Sequence, residues 1–212
     1  MDKAKPQVTE ENGFRQYLIG DNYYPSVTTI VGSVIRKPFL EKWRGDVGNR
    51  EANRRRDEAG QHGKNVHLAC GLVMQGVASI PFDLPALHEE QVDAFKSWHD
   101  LAVDEVLSVE ETIANVTYGY AGTLDERAIL KGDKLPTIID IKTGHFDEDH
   151  NRMQTAAYRA GDGVTADRRI IVDLKQLKDG MPKIHEFRDH GSDFNAFLWT
   201  LGLYNWMRGA RI

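Results

Sequence analysis

A carboxylate and an ammonium two residues apart inside an apolar run are the first chemistry this sequence offers. In TIIDIKTG (137–144), a strand would put Asp140 and Lys142 on one face and Ile139 and Ile141 on the other. Burying both charges is costly, and a metal ion on the carboxylate would offset that cost. The plainer reading is a solvated Asp–Lys pair at a strand end, beside the turn Thr143–Gly144. GTLDERA (122–128) carries Asp125, and the short connection KGDKLP (131–136) lets its strand pair with TIIDIKTG as a hairpin, bringing Asp125 near Asp140. Two carboxylates and a lysine make a hard-cation site with a charged helper, and oxygen ligands favour Mg²⁺ or Mn²⁺ over zinc. The alternative is a lone aspartate in a turn. Ala121, Gly122 and Thr123 weaken it, since small residues let something bulky approach the strand.

Further groups could join this constellation. Glu110 shares a strand face with Ser108 and Thr112, opposite Leu107, Val109 and Ile113; that polar face looks either into a cleft or at water. Glu111 has the other parity and points with the apolar set unless the strand bulges. His67 sits among Val66, Ala69, Cys70 and Val73, positions that read as core, so it is a metal ligand or a buried structural histidine. Gln154 and Tyr158 are four apart and share a helix face, directed at the cleft or simply packed. His62 and Lys64 are looser candidates for phosphate contact.

The elements that must position these groups follow from periodicity and turn signals. GFRQYLI (13–19) and YYPSV (23–27) flank Gly20-Asp21-Asn22 as a hairpin. Ser26 caps a short helix, VTTIVGSV, and Pro38 begins a long charged helical stretch through Gly60. A second helix is expected over Val66–Gln75, ended by Gly76. After the loop SIPFDLP (79–85), Val92, Phe95, Trp98, Ala102 and Val106 keep helical spacing. Period two then marks three strands, VLSVEETIANV, GYAGTLDERAIL and LPTIIDIKTG, the first pair joined through Tyr118–Tyr120. A helix over Asp149–Ala160 is closed by Gly161. RRIIVDLK and IHEFRD are further strands, and Asp193 caps a last helix with Phe194, Phe197, Leu198, Leu201 and Tyr204 on one face. The order implies an α/β (α+β) fold, a mixed sheet with helices packed on it.

Composition bounds the function classes. A chain of 212 residues and 24.0 kDa suits one domain with a real core. One cysteine, Cys70, makes neither an internal disulfide nor a four-cysteine zinc or iron–sulfur site. No apolar run approaches the ~20 residues of a membrane helix. The opening MDKAKPQVTEENG lacks the apolar stretch of a secretory signal, so a cytoplasmic protein is expected. A net charge of -5 argues mildly against nucleic acid, but the charge is segregated. Residues 36–64 hold nine Lys/Arg against five Asp/Glu, whereas residues 81–111 hold one Lys against nine acids. The basic segment can still form an electrostatic footprint; Arg54, Arg55 and Arg56 within it are adjacent, so on a helix they cannot all face one way. No phosphate-cradling G-x-x-x-x-G-K-[ST] loop is present.

In order, the chain has a helical histidine (His67), a strand glutamate (Glu110), G-x-x-D (Gly122 to Asp125), D-x-K (Asp140 to Lys142) and Q-x-x-x-Y (Gln154 to Tyr158). With YPSVTTIVG and KPFLEKW ahead of them, these resemble the PD-(D/E)xK nuclease superfamily, specifically the RecB-like group of phage exonucleases and the mitochondrial genome maintenance exonuclease, from about Tyr24 to Ala160. The group often carries R-G-T before its histidine. Here the residues are His62-Gly63-Lys64, and an arginine contact does not carry over. The resemblance implies a restriction-endonuclease-like core with an N-terminal helical extension. It implies one nuclease domain over 1–212, in which residues 1–80 carry His67 and 81–212 form the catalytic core. It implies that His67, Asp125, Asp140 and the Ile141 carbonyl bind Mg²⁺ or Mn²⁺. Lys142 then acts at the phosphate, Glu110 supports the site or a second metal, and Gln154 and Tyr158 hold DNA or order the cleft; Arg54, Arg55, Arg56 and Lys64 contact phosphates. The implied activity is exonucleolytic, on DNA ends or single strands, in a bacterial or phage-infected cell, with recombination or repair proteins as possible partners. A structure-selective endonuclease is the nearest alternative. A non-catalytic nucleic-acid-binding module would be expected to lack Asp125, Asp140 or Lys142, and all three are present.

Overall fold

The computed structural model describes residues 7–11, 14–77, 80, 81 and 83–209. Residues 1–6 and Gly13, with which the N-terminal readings began, and residues 79 and 82 of the expected loop lie outside them. The first hairpin forms as its turn signal implies: β2 (Phe14–Ile19) and β3 (Asn22–Pro25) pair antiparallel about Gly20, whose φ of 61° needs a residue without Cβ. A strand not anticipated, β1 (Gln7–Glu11), adds to β2 as a third. Ser26 caps α1 (Val27–Val34), its side chain accepting from the Thr29 amide, and Pro38 opens α2 (Pro38–Val47).

The expected break between the long charged helix and a helix beginning at Val66 is absent. The break falls instead at Gly48 (φ 82°), and α3 (Asn49–Met74) runs unbroken for 26 residues through Gly60 and Gly63. Glycine inside a helix costs only ~1 kcal/mol, which the packing of the Val66–Met74 end outweighs. The amphipathic helix α4 (Ala86–Ala102) stops before Val106, which instead belongs to β4 (Val103–Asn115). β4, β5 (Tyr120–Leu130) and β6 (Thr137–Lys142) are successive antiparallel partners. The chain then crosses through α5 (Glu148–Arg159) to β7 (Arg168–Lys178), parallel to β6, and returns along β8 (Met181–Phe187). The result is a five-stranded mixed sheet, β4-β5-β6-β7-β8, and a separate three-stranded antiparallel sheet, in an α+β fold with six helices among the described residues.

Alternation along β6 sorts the core into two layers. Ile138 packs with α1, α5 and the last helix, α6 (His190–Met207), through Val27, Ile30, Met153 and Phe197. Ile139 and Ile141 pack on the other face with α3 and α4, through Val66, Cys70, Phe95 and Trp98. The segment before residue 80 therefore contributes to both layers. The N-cap of α6 is Asp189, not Asp193. Asp193 is buried, its carboxylate bridging Arg169 (2.7 Å) and Arg152 (2.8 Å), and thereby ties α6 to β7 and α5.

Candidate functional site

The site opens where the alternation of two strands fails. On β5, Leu124 packs with the α1, α5 and α6 layer, whereas Ala128 and Leu130 pack with α3 and α4. The face changes between them, at Asp125. Opposite, between the pairs Val109–Glu126 and Glu111–Leu124, Glu110 takes φ 51°, a left-handed conformation that a residue with a Cβ adopts only at some cost. The kink puts Glu111 on the side of Ser108, whose hydroxyl donates to it, and in an ion pair with Arg127 (3.1 Å). It leaves Glu110 leaning toward Asp125. Among the described residues, Glu110 and Asp179 are the non-glycine residues with positive φ.

Asp125 is held from two sides: its Oδ2 accepts from the Ile141 amide (2.7 Å) and its Oδ1 lies 3.5 Å from His67 Nδ1. Burial alone would raise its pKa, but the charges of His67 and Lys142 and the bonds from His67 and Ile141 outweigh it and keep the carboxyl below its usual range. His67 comes from α3. Burial opposes its protonation, yet the Asp125 carboxylate wins and lifts the imidazole above its ordinary value. The coordinating atoms of His67, Glu110 and Asp125 lie within 4.8 Å of one another, a grouping able to hold a metal ion. Glu110, exposed at the rim, has its carboxyl pKa raised by partial desolvation and by the charge of Asp125.

Asp140 and Lys142 share the face that β6 parity assigned them. Asp140 is 2% exposed, and its Oδ2 forms an ion pair with Lys142 Nζ at 2.6 Å. Burial, with the charge of Asp125, raises the Asp140 pKa against the pull of Lys142. Gln154 bridges the group: its Nε2 donates to Asp140 Oδ1 (2.8 Å) and Tyr158 Oη (2.9 Å), while its Oε1 accepts from Lys142 Nζ (3.1 Å). Tyr158 covers Gly122 so closely that a Cβ there would lie 2.6 Å from its ring. The bulky group that the small residues of β5 admit is thus this protein's own tyrosine.

These residues line one cleft of about 510 Å³ together with Lys64, with Thr123, expected only as a small residue of the strand, and with Arg15, which the sequence reading missed. Arg15 stands over the Tyr17 ring (5.2 Å), and Tyr17 reaches Thr123 Oγ1 (2.9 Å). The available signal was the two-residue spacing of a charged and a buried aromatic residue in β2. Arg54, Arg55 and Arg56 do not line the cleft. Arg54 pairs with Glu51 (2.6 Å) and Glu58 (2.5 Å), Arg55 with Glu51 (2.7 Å) and Arg56 with Asp57 (2.9 Å), all largely exposed. His62 is also outside; its Nε2 meets Gln91 Oε1 (2.6 Å).

A donor set of two carboxylates and one imidazole whose coordinating atoms lie within 4.8 Å of one another fits a hard divalent cation. The set nearest one another includes Glu110, which the resemblance gave a supporting role, while Asp140 stands beside it with one oxygen engaged by Gln154. No family model matches the chain, and no curated protein matches it. A solved structure described as the crystal structure of SSO0001 is similar at 18% identity, covering 84% of this chain and 75% of that one; its TM-score of 0.38 carries no argument about fold or function.

Proposed function

We propose that this protein is a metal-dependent nuclease that hydrolyses phosphodiester bonds of DNA, at ends or in single strands. The observation that carries the reading is the meeting, in one cleft, of five short motifs spread from His67 to Tyr158. No packing requirement of the fold calls for two carboxylates, a histidine and a lysine at this junction, and buried charges are expensive without a task.

His67, Asp125 and Glu110, with Asp140 beside them, would hold Mg²⁺ or Mn²⁺; the Ile141 carbonyl is a further ligand implied by the resemblance. The chemistry such a cation would supply is polarisation of a phosphoryl oxygen and a lowered pKa for a bound water. Lys142 is held by Gln154 and Asp140 and keeps its third N–H for a water or for charge developing on the phosphate. Gln154 orders Asp140, Lys142 and Tyr158 as one unit. Arg15 and Lys64 at the cleft are suited to phosphates flanking the scissile one.

Among the described residues no helix is long and apolar enough to cross a membrane. A cytoplasmic setting, in a bacterium or phage-infected cell, and recombination or repair proteins as partners belong to the same proposal.

The test is cleavage of linear and of covalently closed circular DNA, with and without Mg²⁺ or Mn²⁺, by the wild type and Asp140→Asn. Metal-dependent loss of linear DNA alone, abolished in the variant, supports an exonuclease. Nicking of the circle moves the reading to an endonuclease. Absence of cleavage with either metal, or equal activity in Asp140→Asn, overturns it.

A further inference from the structure

Helix α6 is apolar on two opposite sides. Phe197, Leu201 and Tyr204 are buried against the protein. On the far side Trp199, Leu203, Trp206 and Met207 fall within about 100° of one another at 100° per residue, and they are 76%, 45%, 74% and 59% exposed. No Asp, Glu, Lys or Arg occurs from Phe194 to Met207, so the exposed stripe has no charge of its own. Two bare tryptophans on one uncharged helix face are unusual for a surface that meets only water, and charge depletion with aromatic enrichment marks interface cores.

Gly202 borders this stripe on its tryptophan edge, about 40–60° round the helix from Trp199 and Trp206 and between them along the axis. It is mid-helix, where glycine is among the poorest formers, and a Cβ built on it would meet no atom within 4 Å. Among the described residues nothing requires its missing side chain. A helix crossing from outside does, because backbones approach closely where one of them is bare.

We propose that α6 is a two-fold interface at which a second copy of this chain crosses its own α6 over Gly202. The patch is self-complementary, with protruding indoles on either side of a bare backbone, as an isologous contact requires. Each tryptophan has roughly 150–250 Å² to bury. With Leu203 and Met207 one patch supplies on the order of 500 Å², and two related by symmetry reach on the order of 1,000 Å², the lower bound for a specific interface. The Asp193–Arg152 bridge ties α6 to α5, so pairing through α6 would steady the helix that carries Gln154 and Tyr158.

Sedimentation velocity on the whole purified chain tests this. The wild type is expected to show twice the 24.0 kDa protomer mass at micromolar concentration. Trp206→Glu is expected to raise the dimer Kd by at least ~30-fold. Gly202→Leu is the decisive variant: it adds bulk only on the outer face and improves helix propensity, so it should break the dimer with an unchanged or higher monomer Tm. A wild type that stays monomeric at every concentration overturns the proposal, as does Gly202→Leu remaining dimeric. If the wild type is monomeric and Trp206→Glu loses single-stranded DNA binding, the stripe is a base-stacking surface and the dimer is wrong.

Discussion

Gly122→Ala isolates the contact on which the geometry of the cleft depends. The backbone at Gly122 has ordinary extended angles, so alanine is allowed there; what forbids it is Tyr158, whose Cε1 would be 2.6 Å and Cδ1 3.3 Å from the new methyl. Ordinary contact begins near 3.4 Å. The ring is 3% exposed and its hydroxyl is tied to Gln154 at 2.9 Å, so it cannot yield without displacing the amide that also holds Asp140 and Lys142. Overpacking of this kind costs about 1–3 kcal/mol. Urea denaturation of wild type, Gly122→Ala, Tyr158→Leu and the double variant forms a cycle in which the alanine penalty should vanish once the ring is gone, a coupling of about 1–3 kcal/mol. Gly63→Ala is the control: its Cβ meets only Thr143 Oγ1, at 3.2 Å, a short side chain that can turn, and helix propensity favours alanine by up to ~1 kcal/mol. Additive free energies in the cycle, or a Gly122→Ala protein as stable as wild type, would refute the reasoning.

Lys142→Ala is expected to lower single-turnover cleavage by ~100–1,000-fold with metal affinity nearly unchanged; near-normal rates in the same assay would make the lysine a counter-ion for Asp140. Replacing Arg54, Arg55 and Arg56 by glutamine should flatten the salt dependence of DNA binding by less than the ~0.9 unit per phosphate contact expected of free cations, because each arginine must first leave a carboxylate; an unchanged slope would make them a solvated helix face. His150 is pushed down to about 4 by burial and by the nearby charges of Lys37 and Lys142. It is neutral when folded but takes a proton when unfolded below about pH 6.5, so stability is complete above that pH and falls as pH drops toward 4. The loss is at most about 3 kcal/mol. In His150→Gln, that part of the acid slope in denaturation midpoints should disappear, leaving the share of His190, which is also lowered to about 4.

The strand residues of the candidate site were legible because period two is rigid. Once TIIDIKTG is a strand, Asp140 and Lys142 must share a face, and a six-residue connection leaves the neighbouring strand with Asp125 no other place to go. Ser26, Pro38 and Gly20 were readable for a similar reason, since each is suited to one local task. What escaped depended on distant packing. Val106 continues the helical spacing of Val92 to Ala102, yet the sheet claims it, because pairing opposite Ala128 outweighs one more helical residue. Asp193 has the composition of a cap, and only the fold brings Arg169 and Arg152 to it. Glu110's reversed φ leaves no trace in residue type. Glu126, buried beside His99 at 2.8 Å on the opposite side of β5, likewise has nothing in its sequence context to set it apart from an ordinary strand acid.

Helix α3 is anchored unevenly. Its buried residues are Ala52 and then Val66, Ala69, Cys70, Gly71 and Met74, while α2, against which its first turns lie, buries none. Mechanically it is a rod clamped at one end, with the arginines on the free arm and His67 at the clamp. Arg55 and His67 are separated by about 18 Å of helix rise. A tilt of ~5° about the clamp would sweep the arginines through ~1.5 Å and leave the imidazole almost still. On the nuclease reading proposed above, such an arm would follow the contour of a long, irregular polyanion while the fulcrum kept the cleft residues in register, with compliance and precision at the two ends of one uninterrupted element.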